Sequence, residues 1–134
     1  MIIRHAEHSD FLWLQEHDRH ISKETLETKI ESNEIYIATE NNETLGWLRY
    51  NLFWDHIPFM NLIYFLKEHR GKGFGKMLVN HWEKEMKEKG YTNVLTSTLS
   101  TEETQHFYRK LGYTEIGGFK LSEEPFEIMF NKNI

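Results

Sequence analysis

Cysteine, long apolar runs and an excess of positive charge are all missing from this sequence. Without cysteine among its 134 residues, the chain cannot form disulfides, thiolate metal sites or cysteine nucleophiles. No apolar run approaches the roughly 20 residues of a membrane-spanning helix, and the opening MIIRH is not a signal peptide. A formal net charge of -5 argues against general nucleic-acid binding and mildly favours a cationic amine as a partner. We therefore expect a cytoplasmic protein that binds neither membranes nor nucleic acid.

The composition that remains is sufficient for one folded domain. Hydrophobic residues make up 39% and aromatic residues 14% of the chain, which is typical of a packed core rather than of disorder. The chain has no internal repeat, low-complexity tract or linker. The sequence therefore predicts a single domain over residues 1–134.

The most informative stretch is residues 70–76, which follow an apolar run and lead directly into a helical pattern. Glycine occupies every second position, so the backbone N–H groups of the loop are free to converge on a bound anion. The amino terminus of a helix adds unpaired donors and a partial positive charge. This stretch therefore predicts a phosphate-binding loop, although a plain surface turn would have a similar composition. Its members are Arg70, Gly71, Lys72, Gly73, Phe74, Gly75 and Lys76.

Spacing excludes two better-known glycine loops. A Rossmann turn, G-x-G-x-x-G, counted from Gly71 and Gly73 would need a third glycine where Lys76 stands. A Walker loop needs Ser or Thr after Gly-Lys, but Met77 follows Lys76, and Arg70 occupies the upstream glycine position. Neither nucleotide-binding motif is present.

Periodicity predicts helices and strands along the whole chain. A strand, the glycine loop, a helix and a second strand form one strand–helix–strand unit, whose two strands should be parallel. With antiparallel strands on both sides, the expected fold is α/β, a mixed sheet flanked by helices. The predicted strands are residues 2–6, 34–39, 44–54, 59–66, 92–98, 113–121 and 126–130, with an interruption at Pro58. The first predicted helix follows a cap at Ser9 or Asp10 and continues to His17, and the second begins at Ser22 and contains Leu26 and Ile30. The third follows the glycine loop and stops at Gly90, and the fourth covers residues 102–111.

The helix after the glycine loop has a clear apolar face. Residues four apart along this face should pack inward, and Gly90 should end the helix. The predicted inward residues are Phe74, Leu78, Trp82 and Met86, and the predicted outward residues are Asn80, Glu83, Lys84 and Lys87.

Two signatures point to one family. Arg70, Gly73 and Gly75 match the pattern Arg/Gln-x-x-Gly-x-Gly/Ala, and the segment QHFYRKLGY at 105–113 is similar to Phe-Tyr-x-Lys-x-Gly-Phe. Because the signatures occur in the right order and on the expected elements, they are far more specific together than either is alone. The sequence resembles the GCN5-related N-acetyltransferases (GNAT) across most of its length.

The resemblance implies an acyltransferase that uses acetyl-CoA. In that family the glycine loop holds the pyrophosphate of coenzyme A, and the preceding strand end pairs with the pantetheine arm, which here assigns Phe65, Leu66 and Lys67. A backbone N–H near Phe65 or Leu66 would polarise the thioester carbonyl. Tyr108 matches the usual proton donor to the leaving thiolate, although a buried core tyrosine is the alternative interpretation. The implied activity is direct acetyl transfer to a primary amine of a small molecule or protein, and a homodimer is expected by family habit.

Departures from the family pattern leave the base undetermined. Many relatives have a glutamate in the strand before the loop, but residues 59–64 contain no carboxylate. Asp55, His56 and Glu103 are possible substitutes, each of which is more often a surface residue. Ser100 also replaces a frequent asparagine. A non-catalytic acyl-CoA-binding module with the same fold therefore remains an alternative function.

Two further groups of residues have the composition of a binding site. Trp54, Asp55 and His56 lie between two predicted strands, where an aromatic ring beside a carboxylate could bind the ammonium group of the acceptor. The alternative is a strand end whose tryptophan packs in the core. His17 and His20 have metal-ligand spacing, but no third ligand lies in sequence reach, and no metal site is predicted.

Overall fold

The structure is a computed structural model that describes every residue from Met1 to Ile134. It contains seven strands, four α-helices and two short 3₁₀ turns at His8–Asp10 and Lys67–His69. The strands are β1 (Ile2–His5), β2 (Ile35–Glu40), β3 (Glu43–Phe53), β4 (Ile57–Phe65), β5 (Asn93–Leu99), β6 (Thr114–Lys120) and β7 (Phe126–Asn133); the helices are α1 (Phe11–His17), α2 (Lys23–Glu31), α3 (Phe74–Glu88) and α4 (Thr104–Lys110).

The strands form one mixed sheet in the order β1-β2-β3-β4-β5-β7-β6. The pair β4–β5 is parallel, with Phe59 opposite Leu95 and Met60 opposite Thr96. Antiparallel pairs lie on both sides of it. The predicted α/β fold, a strand–loop–helix–strand unit within a mixed sheet, is therefore confirmed.

The chain divides into two compact units. One comprises Met1–Tyr50 with Leu62–Val79, and the other comprises Asn51–Asn61 with Asn80–Ile134. That the whole chain acts as one acetyltransferase domain stays a prediction.

The first unit has a core built from α1, α2 and the first strands. Ser22, predicted to begin this helix, precedes α2 and caps it by accepting from the Thr25 N–H at 3.2 Å. The buried members of this core are Ala6, Leu14, Leu26, Ile30, Ile35, Ile37 and Trp47. Because Leu26 and Ile30 are four apart on α2, they lie on one face of that short helix, and both pack into this core.

A buried ion pair holds the segment after α1 against β3. The Asp18 carboxylate accepts from Arg49 Nε at 2.7 Å and from Trp47 Nε1 at 3.0 Å. Burial by itself would raise the pKa of Asp18, but the bonds from Arg49 and Trp47 outweigh it, and the net shift is downward. The Asp18–Arg49 ion pair, which is shielded from water, therefore holds this segment in place.

Helix α3 shows the predicted apolar face and one departure from it. Leu78, Trp82 and Met86 are fully buried, and Gly90 follows the helix at φ +97°. Glu83, predicted to face solvent, is buried. Its carboxylate accepts from Tyr113 Oη at 2.7 Å and from Lys132 Nζ at 2.8 Å. The Glu83 carboxylate can be buried because residues far along the chain supply its hydrogen-bond and ion-pair partners.

One strand and one turn also differ from the prediction. Pro58 does not interrupt β4 but is its second residue, and it is buried. The pairing with β5 starts only at Phe59, so the missing N–H of proline removes no bond from that ladder. The 3₁₀ turn at Lys67–His69 was not predicted.

Candidate active site

The end of β4 is the first part of the candidate cofactor site. Phe65 closes the strand and is buried, and the N–H of Leu66 donates to the Leu45 carbonyl at 2.9 Å. Successive N–H groups of a strand point to opposite edges, so the N–H of Phe65 points away from β3. Of the two backbone groups proposed to polarise a thioester carbonyl, Phe65 is the better candidate.

Arg70 joins the strand end to the loop. Its Nε donates to the Phe65 carbonyl at 2.8 Å, and its guanidinium carbon lies 4.9 Å from the centroid of the Tyr64 ring. Only one of the five N–H donors of arginine is used in that bond, so the side chain can still meet an anion. Arg70 therefore braces the loop as well as adding positive charge.

The glycines of the loop adopt backbone conformations that other residues rarely accept. Gly71 has φ +75° and Gly73 has φ +83°, and an added Cβ at either position would meet nothing within 4 Å. Glycine is thus required by the backbone angle and not by crowding. The loop keeps an open, side-chain-free surface, as a phosphate cradle requires.

The loop leads directly into the amino terminus of α3. The N–H of Met77 donates to the Gly73 carbonyl at 3.2 Å, which is the first turn of the helix. The N–H groups of Phe74, Gly75 and Lys76 therefore have no acceptor within α3. With the exposed ammonium groups of Lys72 and Lys76 nearby in sequence, this segment can hold a multiply charged anion.

Tyr108 belongs to the second unit, whereas the predicted cofactor residues belong to the first. It lies on α4 with only 4% of its surface exposed, and its ring centroid is 5.7 Å from that of Tyr113 and 5.8 Å from that of Phe130. Burial raises the pKa of Tyr108 to about 12. The phenol therefore keeps its proton at any physiological pH, and the tyrosine is both a core residue and a potential donor.

The Tyr108 side chain has a polar neighbour, Thr96, that the sequence patterns did not reveal. A hydrogen-bonding interaction with Thr96 partly offsets the rise in the pKa of Tyr108. Thr96 is fully buried on β5, and its Oγ1 donates to the Met60 carbonyl at 3.0 Å. The sequence feature that could have identified Thr96 is a threonine at an inward-facing position of a buried strand.

The proposed acceptor residues lie in the turn between β3 and β4. Trp54 and Asp55 have φ of +54° and +64°, and Trp54 is 72% exposed, so the core-tryptophan alternative is wrong. The turn precedes β4, whereas the glycine loop follows it. Amine binding at Trp54, Asp55 and His56 stays a prediction.

The other candidate groups are at the surface. The Glu103 side chain is 96% exposed and lies 3.7 Å from His106. His17 stacks on Trp13 with ring centroids 3.8 Å apart, and its Nδ1 lies 2.7 Å from the Trp13 carbonyl oxygen. No three His, Cys, Asp or Glu side chains come together as a possible metal site. The helices of the structure are all too short or too polar to cross a membrane.

Comparisons with known proteins agree with the observed fold. A family model described as the acetyltransferase (GNAT) family matches residues 2–113. Ard1 from Thermoplasma volcanium has a TM-score of 0.84 at 15% identity, over 99% of this chain and 97% of that chain. A ribosomal-protein-alanine N-acetyltransferase from Brucella melitensis has a TM-score of 0.82 at 17% identity, over 100% of both chains.

A third solved structure contains a ligand. A protein assigned as a streptothricin acetyltransferase from Bacillus anthracis, in complex with acetyl coenzyme A, has a TM-score of 0.69 at 21% identity, over 75% of this chain and 61% of that chain. A search of curated proteins finds no match. At such identities the structural likeness concerns the fold alone, but the family model spans most of the chain and includes both signature segments. This chain belongs to the GNAT family of acetyltransferases.

Proposed function

We propose that this protein transfers an acetyl group from acetyl-CoA to a primary amine by direct attack of the amine on the thioester. The observation that supports it most is the glycine loop, with positive φ at Gly71 and Gly73 and an open surface at the start of α3. Such a loop suits a pyrophosphate, since backbone donors and the helix terminus both favour phosphate oxygens. The loop residues 70–76 would bind the pyrophosphate, and residues 65–67 would bind the pantetheine arm.

The proposed reaction requires few side-chain groups. The neutral amine forms the new C–N bond, the C–S bond breaks, and the thiolate takes up a proton while the amine loses one. The N–H of Phe65 would stabilise the charge that develops on the carbonyl oxygen. The Tyr108 phenol would supply the proton to sulfur, since its raised pKa keeps it protonated at neutral pH.

The structure also supports a second candidate, a non-catalytic acyl-CoA-binding module. No carboxylate occurs among the nine residues of β4, and the Tyr108 side chain is buried. Both features are compatible with a chain that binds the cofactor without transferring its acyl group. The relatives named above include one assigned to a protein acceptor and one assigned to a small molecule, which supports an amine acceptor of either kind.

Two measurements separate these functions. Calorimetry with coenzyme A should show one binding site per chain. A panel of primary amines with acetyl-CoA should then release free thiol above the rate of hydrolysis. Cofactor binding without thiol release for any amine would favour the binding module. Absence of coenzyme A binding would overturn both proposals.

A further inference from the structure

Helix α4, which carries Tyr108, has little packing of its own. It is seven residues long, Tyr108 is its one buried residue, and no side chain caps its first turn. A helix this short is barely stable by itself, and this one buries almost nothing along its length. Its position therefore depends on the contacts of Tyr108 and of the residues at its ends.

The carboxyl end of α4 joins Tyr113 to Tyr108. The N–H of Gly112, a residue with φ +94°, donates to the Arg109 carbonyl at 3.0 Å. The N–H of Tyr113 donates to the Tyr108 carbonyl at 3.1 Å. These two bonds form a Schellman motif, in which the side chains at the positions of Tyr108 and Tyr113 commonly touch. The two rings accordingly lie with their centroids 5.7 Å apart.

The phenol of Tyr113 is anchored to helix α3 by a buried carboxylate. Its Oη donates to Glu83 Oε2 at 2.7 Å, and the two residues are only 3% and 8% exposed. Lys132 Nζ donates to the other carboxylate oxygen, Oε1, at 2.8 Å, so the charge of Glu83 is paired. A hydrogen bond to a charged acceptor is stronger than one between neutral groups, and the exclusion of water strengthens it further. Rotation of the Tyr113 ring would break this bond.

The bond between Glu83 and Tyr113 is present wherever Tyr108 is protonated in the physiological range. Burial raises the pKa of Tyr113, and the neighbouring Glu83 carboxylate raises it further. Tyr113 therefore remains a donor at any physiological pH. The other flanking ring, that of Phe130, lies 5.8 Å from the ring of Tyr108 and is fixed by its place in β7. The contact from Tyr113 is the one that a side-chain hydrogen bond holds.

We propose that Glu83 is a positioning residue for Tyr108. Its hydrogen bond fixes the Tyr113 ring, and that ring holds α4 and the Tyr108 phenol in the orientation from which the proton is delivered. This inference rests on the proposed acetyl transfer. Because Glu83 acts only through Tyr113, loss of the bond should slow the chemical step without weakening the binding of either substrate.

Two variants remove the bond from its two ends. Glu83→Ala deletes the acceptor, and Tyr113→Phe deletes the donor while keeping the ring. With acetyl-CoA and the primary amine of the panel that releases thiol fastest, kcat should fall roughly tenfold in both variants, and both KM values should stay unchanged. Glu83→Gln should recover most of the kcat, because its amide oxygen can still accept from Tyr113.

Lys132→Met is the matched control. It removes the other partner of Glu83 but leaves the bond from Tyr113 in place, and its unbranched side chain can still cover the Tyr113 ring as Lys132 does. The melting temperature of this variant should fall as it does in Glu83→Ala, whereas kcat should be retained. In a Tyr108→Phe background, adding Glu83→Ala should cause no further loss of kcat, because the group that Glu83 positions is already absent.

A spectroscopic measurement reports on Tyr108 without turnover. In protein labelled with ¹³C-tyrosine, the ring signal of Tyr108 is the one missing from Tyr108→Phe. We expect this signal to shift in Glu83→Ala and Tyr113→Phe and to stay in place in Lys132→Met. Should Glu83→Ala not fold, Tyr113→Phe gives the same comparisons.

The outcomes separate this inference from the proposed function. An equal fall of kcat in Lys132→Met, or a further fall when Glu83→Ala is added to Tyr108→Phe, would show a purely structural role and overturn the inference while leaving acetyl transfer intact. If the wild type releases no thiol with any amine, acetyl transfer fails and the ring signal decides. A Tyr108 signal that shifts only when the Glu83–Tyr113 bond is lost would support the alignment by Glu83, and an unmoved signal would overturn it.

Discussion

The glycine loop and the surroundings of Tyr108 are built on opposite principles. The loop at residues 70–76 is exposed for most of its length, lacks side chains at alternate positions and offers mainly backbone donors. Tyr108 is a single side chain, 4% exposed, that packs against the rings of Tyr113 and Phe130. The loop is suited to binding a charged group from water, whereas the phenol is suited to keeping a proton away from water.

That difference determines how each part can be damaged. A loop that works through its backbone is sensitive to any residue that changes φ or adds negative charge, and tolerant of most other changes. A buried donor is sensitive to the loss of one hydroxyl group or of the partner that orients it. Substitutions in the loop should change affinity, and substitutions around Tyr108 should change turnover.

The largest effect is expected from Tyr108→Phe, which keeps the ring and deletes only the hydroxyl. Turnover should fall by about 10²- to 10⁴-fold, because that is the usual contribution of a positioned proton donor. The Kd for coenzyme A and the melting temperature should change little. Steady-state thiol release and calorimetry measure the two quantities. An unchanged turnover would show that water protonates the thiolate, and a collapsed melting temperature would make Tyr108 chiefly a core residue.

Gly73→Asp should weaken the binding of coenzyme A by the glycine loop. A side chain at φ +83° is strained, and the new carboxylate repels phosphate, so the Kd for coenzyme A should rise about 30-fold or more. Gly90→Asp is the control, because Gly90 follows the other end of α3 at φ +97° with equally open space. Calorimetry should show weak binding for the first variant and normal binding for the second; equal binding in both would remove the loop as the pyrophosphate site.

Thr96→Val tests whether the phenol needs its partner. The substitution removes the polar neighbour of the Tyr108 hydroxyl and the donor to the Met60 carbonyl, so turnover should fall roughly tenfold and some stability should be lost. Thr98→Val is the matched control, since Thr98 is buried two residues along the same face of β5. Thr96→Ser should recover most of the turnover. If both valine variants lose stability alike and neither loses turnover, the Thr96 hydroxyl has only a structural role.

The pH dependence gives the smallest expected change. Since burial raises the pKa of Tyr108 to about 12, its neutral form persists above pH 10.0, the ordinary value for a tyrosine. Turnover at saturating substrate should therefore not decline with a midpoint near pH 10. Because the pKa of Tyr108 is higher in the folded protein than in the unfolded chain, the free energy of unfolding should fall progressively as the pH rises from about 10 to about 12. A decline in the wild-type profile near pH 10 that is absent from Tyr108→Phe would contradict this assignment.

Local patterns predicted much of this molecule correctly. The spacing of Leu78, Trp82 and Met86 placed one face of α3 in the core, and the alternation of glycines identified a loop whose φ angles indeed require glycine at two positions. Both results depend on residues within a few positions of one another, and helical period and backbone sterics act at that range.

The errors came from partners far along the chain. The charge of Glu83 predicts an exposed side chain, yet Tyr113 and Lys132 bind its carboxylate in the interior. Pro58 predicts an interruption, but β4 tolerates it because its pairing with β5 begins one residue later. In each case the deciding contact joins positions that no window of neighbouring residues contains.

The sequence alone thus determined that this chain has a phosphate-type loop between a strand and a helix, since glycine spacing and helix periodicity follow from local geometry. Only the tertiary structure decided which groups surround the Tyr108 phenol, that Leu99, Glu124 and Glu127 border one cavity, and that the Trp54 side chain is exposed. The reason is that hydrogen bonds and cavities depend on which strands become neighbours, and sheet pairing joins segments with large separations in sequence.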